Sequence, residues 1–139
     1  MNFELLTLTG AKFKGEADEV VLTTTNGQMG ILPHHEPFVG QVMPGAITIK
    51  TGQGAPEVFA TYGGLLEITA DYVRVLADEA DHESDLVTSE IEAALAEARE
   101  LRAKAKDKTE LAKAQQMIDR SEVRLGIAKM RRTHRHERP

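Results

Sequence analysis

Two rhythms of apolar and polar positions divide the chain. In the first, apolar residues alternate with polar ones: Ala46-Ile47-Thr48-Ile49-Lys50 sets Ile47 and Ile49 on one side, and Tyr72-Val73-Arg74-Val75-Leu76 does the same for Val73 and Val75. A two-residue period is the mark of a strand half buried in a sheet. Asn26-Gly27, Pro33, Pro37, Pro44-Gly45, Gly52-Gln53-Gly54 and Gly63-Gly64 break this region at short intervals and leave no room for an ordinary helix. Residues 1–84 are therefore predicted to form about ten short antiparallel strands, folded as a β-sandwich or flattened barrel.

The second rhythm begins after Asp81-His82-Glu83-Ser84-Asp85. From Leu86 there is no Gly until Gly126 and no Pro until Pro139, and Ala, Glu, Lys, Arg and Leu, all strong helix formers, dominate. Apolar or small residues recur at Leu86 or Val87, Ile91, Leu95, Ala98, Leu101 and Ala105, then at Leu111, Ala114, Ile118, Ser121, Leu125 and Ala128. Steps of three and four make one apolar stripe per helix. Lys106-Asp107-Lys108-Thr109 interrupts the stripe, with either Asp107 or Thr109 able to cap a second helix, and Ser89 with Glu92 has capping-box spacing near the first. Residues 85–130 are predicted to form an antiparallel hairpin of two helices, each about 20 residues and about 30 Å long. Its Ala-rich contact buries little area per residue, which at ~25 cal/mol per Å² means weak docking and a hairpin free to move. The basic segment 131–139 has no apolar period and is expected to be disordered.

Composition narrows the function. The absence of Cys removes disulfides, thiolate metal sites and a Cys nucleophile together. His34, His35 and His82 fall in predicted loops, and His134 and His136 alone are too few to hold a metal, so no metal or cofactor is expected. No Gly-x-Ser-x-Gly, His-Glu-x-x-His or Walker sequence occurs, which argues against an enzyme. The net charge of −5 conceals an asymmetry: residues 1–84 carry 12 acids and 4 bases, net −8, whereas residues 85–139 carry 10 acids and 13 bases, net +3. Those acids among the bases, with only 4% aromatic residues, speak against nucleic acid as a partner. No stretch approaches the roughly 18 apolar residues of a membrane span, and Met1-Asn2-Phe3-Glu4 does not open a signal peptide, so a soluble intracellular protein is expected.

A β-sandwich followed by a helical hairpin in this order resembles the epsilon subunit of bacterial and chloroplast-type rotary proton-translocating ATP synthases, and several motifs agree. Gly27-Gln28-Met29-Gly30-Ile31-Leu32-Pro33-His34-His35-Glu36-Pro37 is similar to that family's Gly-x-x-Gly-Ile-x-Pro-x-His-x-Pro loop. Pro44-Gly45-Ala46-Ile47-Thr48-Ile49 resembles its next strand entry. Gly63-Gly64-Leu65-Leu66-Glu67-Ile68 and Val73-Arg74-Val75-Leu76-Ala77-Asp78 resemble its last hairpin. Independently of the family, Gly27 and Gly30 permit positive φ while Pro33 and Pro37 fix φ, so the first motif reads as a rigid, irregular connector. It lacks the Lys-Ser/Thr and the helix that a phosphate loop needs.

The resemblance implies a non-catalytic central-stalk subunit that couples rotor-ring rotation to ATP synthesis. Its implied partners are a gamma-type stalk subunit, the rotor-ring subunits, and the alpha and beta subunits of the catalytic sector, at the cytoplasmic face of the cell membrane as a peripheral component. Gln28, Met29 and His35 would lie at the contact with stalk and ring, although the His35 ring could equally serve a hydrogen bond within its loop. His34 reads as a solvated neighbour. The family's hairpin lies folded against the sandwich or extends up the stalk, where its cations meet an acidic loop and impede hydrolysis. Here Arg99, Arg102, Lys104, Lys106, Lys108, Lys113, Arg120 and Arg124 would supply the charge, with Lys129, Arg131 and Arg132 beyond them. Some members bind ATP through Ile/Leu-Asp-x-x-Arg-Ala, but the matching stretch, Leu86-Val87-Thr88-Ser89-Glu90-Ile91, has Val87 for the Asp and Glu90 for the Arg. Weak or absent ATP binding is expected. The alternative is a stand-alone scaffold or binding module that uses the basic hairpin.

Overall fold

The computed structural model describes residues 1–52 and 54–137, with the backbone alone for 132–137. Ten strands come first: β1 Asn2–Thr7, β2 Gly10–Glu16, β3 Glu19–Thr24, β4 Gly27–Ile31, β5 Phe38–Val42, β6 Gly45–Lys50, β7 Glu57–Thr61, β8 Gly64–Ile68, β9 Val73–Ala77 and β10 Ala80–His82. A single 3₁₀ turn, Glu83–Asp85, leads into α1 Thr88–Ala103 and α2 Lys108–Glu137. The chain divides into two compact units, Met1–His82 and Glu83–Pro139.

The strands follow the order β10-β7-β6-β3-β5-β8-β9-β1-β2, with β4 paired to β3. β3 is the corner strand. Its first residues, Glu19 to Val21, pair with Lys50 to Thr48 of β6, its last, Thr24, pairs with Val42 of β5, and its other edge carries β4. One strand thereby belongs to two sheet halves, and the side chains between them form a single core. Phe3 and Leu5 of β1, Val20 and Leu22 of β3, Ile47 and Ile49 of β6, Phe59 of β7, Leu66 and Ile68 of β8, and Val73 and Val75 of β9 all point into it. The alternation read in the sequence is this inward face; β3 itself alternates half-buried and buried along its length.

Among the described residues eight of the nine strand pairings are antiparallel, and β1 with β9 is the exception. They run parallel, Phe3 beside Val73 and Leu6 beside Leu76, which makes the sheet mixed and corrects the expectation of an antiparallel sandwich. Alternation reports which face a side chain takes but not strand direction, and this pair joins residues about 70 positions apart.

In the second unit the helices are unequal. α1 has 16 residues and α2 has 30, against an expectation of about 20 each. With neither Gly nor Pro between Gly126 and Pro139, nothing stops α2 before Glu137. The backbone of 131–137 is thus helical where disorder was expected. Residues 138 and 139 lie outside the described residues, as do the side chains of Arg132, His134 and His136.

The seam between α1 and α2 is built from Leu95, Ala98 and Ile118, with Leu125 packed beside them. Ile91, Ala114, Ser121, Ile127 and Ala128 are also buried. The stripe fails at the hairpin's free end, where Leu101 and Leu111 remain 46% and 47% exposed because no further turn of either helix covers them. Asp107 caps α2: its Oδ1 accepts the Glu110 amide at 2.8 Å, while Glu110 accepts the Lys106 amide at 2.9 Å. The Ser89 and Glu92 capping box does not form; Val87 occupies the N-cap of α1 and offers no side-chain bond.

Candidate functional site

The motif Gly27 to Pro37 is half strand and half turn. Thr24 and Gly27 close the β3–β4 hairpin: the buried Thr24 hydroxyl donates to the Gly27 carbonyl at 3.1 Å and accepts the Asn26 amide at 3.1 Å, and Gly27 takes φ +112°. β4 then runs as a regular strand on β3 through Ile31, so residues 27–31 are not the irregular connector expected. Gly30 keeps ordinary strand geometry. What it supplies is room, since a Cβ there would sit 3.2 Å from the Glu19 carboxylate, which is engaged by Lys50 at 2.8 Å. The positive φ belongs instead to His34, at +69°.

The pleat separates the three expected contact residues. Gln28 is exposed, whereas Met29 is half-buried and packs onto the sandwich core. His35 is half-buried, and its Nδ1 lies 2.7 Å from the Glu36 carbonyl while its amide donates to Leu32 at 3.3 Å. That carbonyl can only accept, so the bond places the proton on Nδ1 and leaves Nε2 outside it.

A second feature lies on the outer face of the sheet half β5-β8-β9-β1-β2. In-register pairing sets Val39, Glu67, Arg74, Glu4 and Lys14 in one row across five strands. Arg74 Nε donates to Glu4 at 2.9 Å, Lys14 stands 3.9 Å from the other Glu4 oxygen, the Arg74 guanidinium lies 4.2 Å over the Tyr72 ring, and the Tyr72 hydroxyl donates to Glu67. The hydrogen bond to Glu67 raises the Tyr72 pKa above its ordinary 10, and the bond to Glu4 raises that of Arg74. Beside this charged row runs an apolar one, Leu65, Leu76 and Leu6, with Leu65 and Leu76 largely exposed. Leu8, at the β1–β2 turn, is 94% exposed and held up by an ordered turn in which the Thr7 hydroxyl donates to Gly10. Leu65 and Leu76 thus stand side by side and partly exposed on one sheet face. The signal was present in the outward positions of Leu65-Leu66-Glu67 and Arg74-Val75-Leu76, but only the strand order makes them neighbours.

In the second unit, Arg99, Arg102, Lys104, Lys106, Lys108 and Lys113 are exposed around the open Leu101 and Leu111 end, while Arg120 and Arg124 are half-buried. Arg102 donates to Gln115 at 3.0 Å across the seam, and Gln115 donates to Asp119 at 2.9 Å. Val87 is exposed and Glu90 stands in the first turn of α1, so an anion approaching that helix start would meet a carboxylate. Among the described residues no three His, Asp or Glu gather as a metal would require, and no helix is long and apolar enough to cross a membrane.

Comparison with known proteins meets this picture from outside. The profile of the ATP synthase delta/epsilon chain beta-sandwich domain matches residues 1–83. The ATP synthase epsilon chain of Stenotrophomonas maltophilia strain K279a is 35% identical over 125 residues, 89% of each chain. That of Maricaulis maris is 33% identical over 128 residues, 92% of this chain and 96% of its own. Among solved structures, a chain of the Euglena gracilis mitochondrial ATP synthase in an OSCP/F1/c-ring assembly shares the fold with a TM-score of 0.74 at 22% identity, covering 86% of this chain and 76% of its own. A chain from the Tetrahymena thermophila mitochondrial ATP synthase central stalk and c-ring does so with a TM-score of 0.60 at 10% identity, over 92% of this chain and 96% of its own. A matched domain filling the strand-built unit, with relatives aligned through the helices as well, means that this chain belongs to the ATP synthase delta/epsilon chain family.

Proposed function

We propose that the chain serves as an epsilon-type subunit in the rotor stalk of an ATP synthase, transmitting rotation without carrying out catalysis itself. The carrying observation is that epsilon chains align over about nine-tenths of the sequence, through both units. Its partners are the gamma-type stalk subunit, the rotor-ring subunits, and the alpha and beta subunits of the catalytic sector. The alternative of a stand-alone module built on the basic hairpin draws nothing from these relatives.

The division of labour follows from the two kinds of unit. A sandwich with one close-packed apolar core and an in-register row of ion pairs is stiff enough to carry torque, and its exposed Leu65, Leu76 and Leu8 offer apolar contact to the stalk. Exposed Gln28 and half-buried His35 supply polar contact at the β4–β5 segment, with Met29 contributing through its outer part. The hairpin acts as a brake on hydrolysis: Arg102, Lys104, Lys106 and Lys108 cluster at its open end, where an acidic surface of the catalytic sector would be met. ATP is not a ligand of the hairpin, because Val87 offers no side-chain acceptor and Glu90 puts a carboxylate where a phosphate would need a cation. The complex works at the cytoplasmic face of the membrane, with this chain peripheral to it.

The test is to delete residues 86–139 and measure ATP hydrolysis by the assembled complex. Faster hydrolysis with coupling intact is expected. Unchanged hydrolysis would remove the brake, and failure of the full chain to purify with stalk and catalytic subunits would remove the stalk assignment.

A further inference from the structure

The far part of α2 raises a mechanical question. After a connection of four residues, 104–107, the first half of the 30-residue α2 runs back beside the 16 residues of α1. Beyond about Arg124, α2 passes the start of α1 and meets the segment that precedes it, Glu83 to Val87. Among the described residues beyond Arg124, Ile127 and Ala128 are buried on α2, and Leu86 is buried in the segment that precedes α1.

Arg131 lies at this place. It is half-buried, one turn past Ile127, and its Nη2 donates to the Leu86 carbonyl at 2.9 Å while its Nη1 donates to the Glu83 carbonyl. These two carbonyls bracket the 3₁₀ turn, and that of Glu83 already accepts the Leu86 amide at 3.2 Å. The bonds join residues 45 and 48 positions apart, from the far part of α2 to the segment that opens the unit. α1, which begins two residues after Leu86, has Val87 at its N-cap and no side-chain cap bond, so the Arg131 bonds act where the helix start has no cap of its own.

We propose that Arg131 is a latch: its guanidinium fork holds the far half of α2 to Glu83–Leu86, and the closed hairpin cannot open at its root until both bonds are lost. Only a planar guanidinium offers two fixed N–H groups to two carbonyls at once; a Lys ammonium keeps the charge without the fork. This separates the latch from the alternative in which Arg131 is one more cation for an acidic partner. The latch itself is a property of the isolated chain, and its consequence for hydrolysis rests on reading the hairpin as a brake.

The experiment is hydrogen exchange of the full chain, wild type against Arg131→Lys and Arg131→Met. Both substitutions are expected to speed exchange roughly ten- to hundred-fold in peptides covering 83–90 and 124–137, the scale for loss of charged hydrogen bonds, with the strands of 1–82 unchanged as the folding control. Wild-type exchange in both variants overturns the latch. So does loosening by Arg131→Met alone, because charge without the fork would then suffice. Hydrolysis by complexes carrying Arg131→Lys is read separately: a slower rate is expected as the hairpin opens more readily. An unchanged rate beside faster exchange would sink the brake and leave the latch standing.

Discussion

Several side chains in this protein do what their residue type would not suggest. His34 holds a left-handed turn that a glycine would ordinarily take, while Gly30, bounded by the Glu19 carboxylate, keeps an extended strand. Val87 is the clearest local compromise, an apolar residue at a helix N-cap. Val87→Asp is expected to stabilise the helical unit by about 1 kcal/mol, measured as a shift in denaturant midpoint, since it would supply the missing acceptor for the first-turn amides. Tyr72 makes a pH-dependent prediction. The hydrogen bond to Glu67 raises its pKa above the unfolded 10, so the folded state binds that proton more tightly. The contribution is complete below pH 10 and is lost as pH rises through the raised folded value. In a Tyr62→Phe background, tyrosinate absorbance should appear above pH 10 and move down toward it on Glu67→Leu; a titration at 10 in both would refute the bond.

Individual strands and helices show which local rules tertiary contact overrode. Gly64 opens β8 so close to β9 that an added Cβ would lie 2.3 Å from the Leu76 carbonyl, an atom that cannot move aside. Gly64→Ala is expected to cost at least about 2 kcal/mol by overpacking, read from the thermal midpoint of the strand-built unit. On the hairpin, Ile118 sits in the seam with Leu95 and Ala98. Ile118→Ala is expected to cost about 2–4 kcal/mol, visible as loss of helical signal while the strands persist. The contrast between the two units lies in their packing: the sandwich core is filled by Phe, Leu, Ile and Val from both sheet halves, whereas the seam has Ala98, Ala114, Ser121 and Ala128 where larger side chains would bury more.

At the scale of the whole molecule the chain forms two compact units, to which the proposed function gives different demands, stiffness in one and release in the other. An ATP titration of the full chain is expected to show no binding up to about 100 μM; Kd values in the micromolar range, some 8 kcal/mol of affinity, would contradict the roles given to Val87 and Glu90. Reversing the charge of Lys104, Lys106 and Lys108 together should relieve inhibition of hydrolysis and weaken its salt dependence, because the proposed brake acts through the cationic end of the hairpin.

The residues alone were enough to divide the chain near residue 84, to name strands before it and helices after it, and to mark the Gly27–Pro37 motif. Period and turn chemistry are local properties and survive without a fold. The Ala-rich stripe also announced a thin seam. Tertiary structure decided what depends on distant neighbours: that β1 lies parallel to β9, that Lys14, Glu4, Arg74 and Glu67 form one row with Leu6, Leu76 and Leu65 beside it, and that Arg131 returns to Glu83 and Leu86. Each of these joins residues whose separation along the chain carries no periodic signal. Direction, adjacency and a long-range hydrogen bond exist only once the backbone has closed on itself, and here they set which side chains share one sheet face and which bonds tie α2 to the segment before α1.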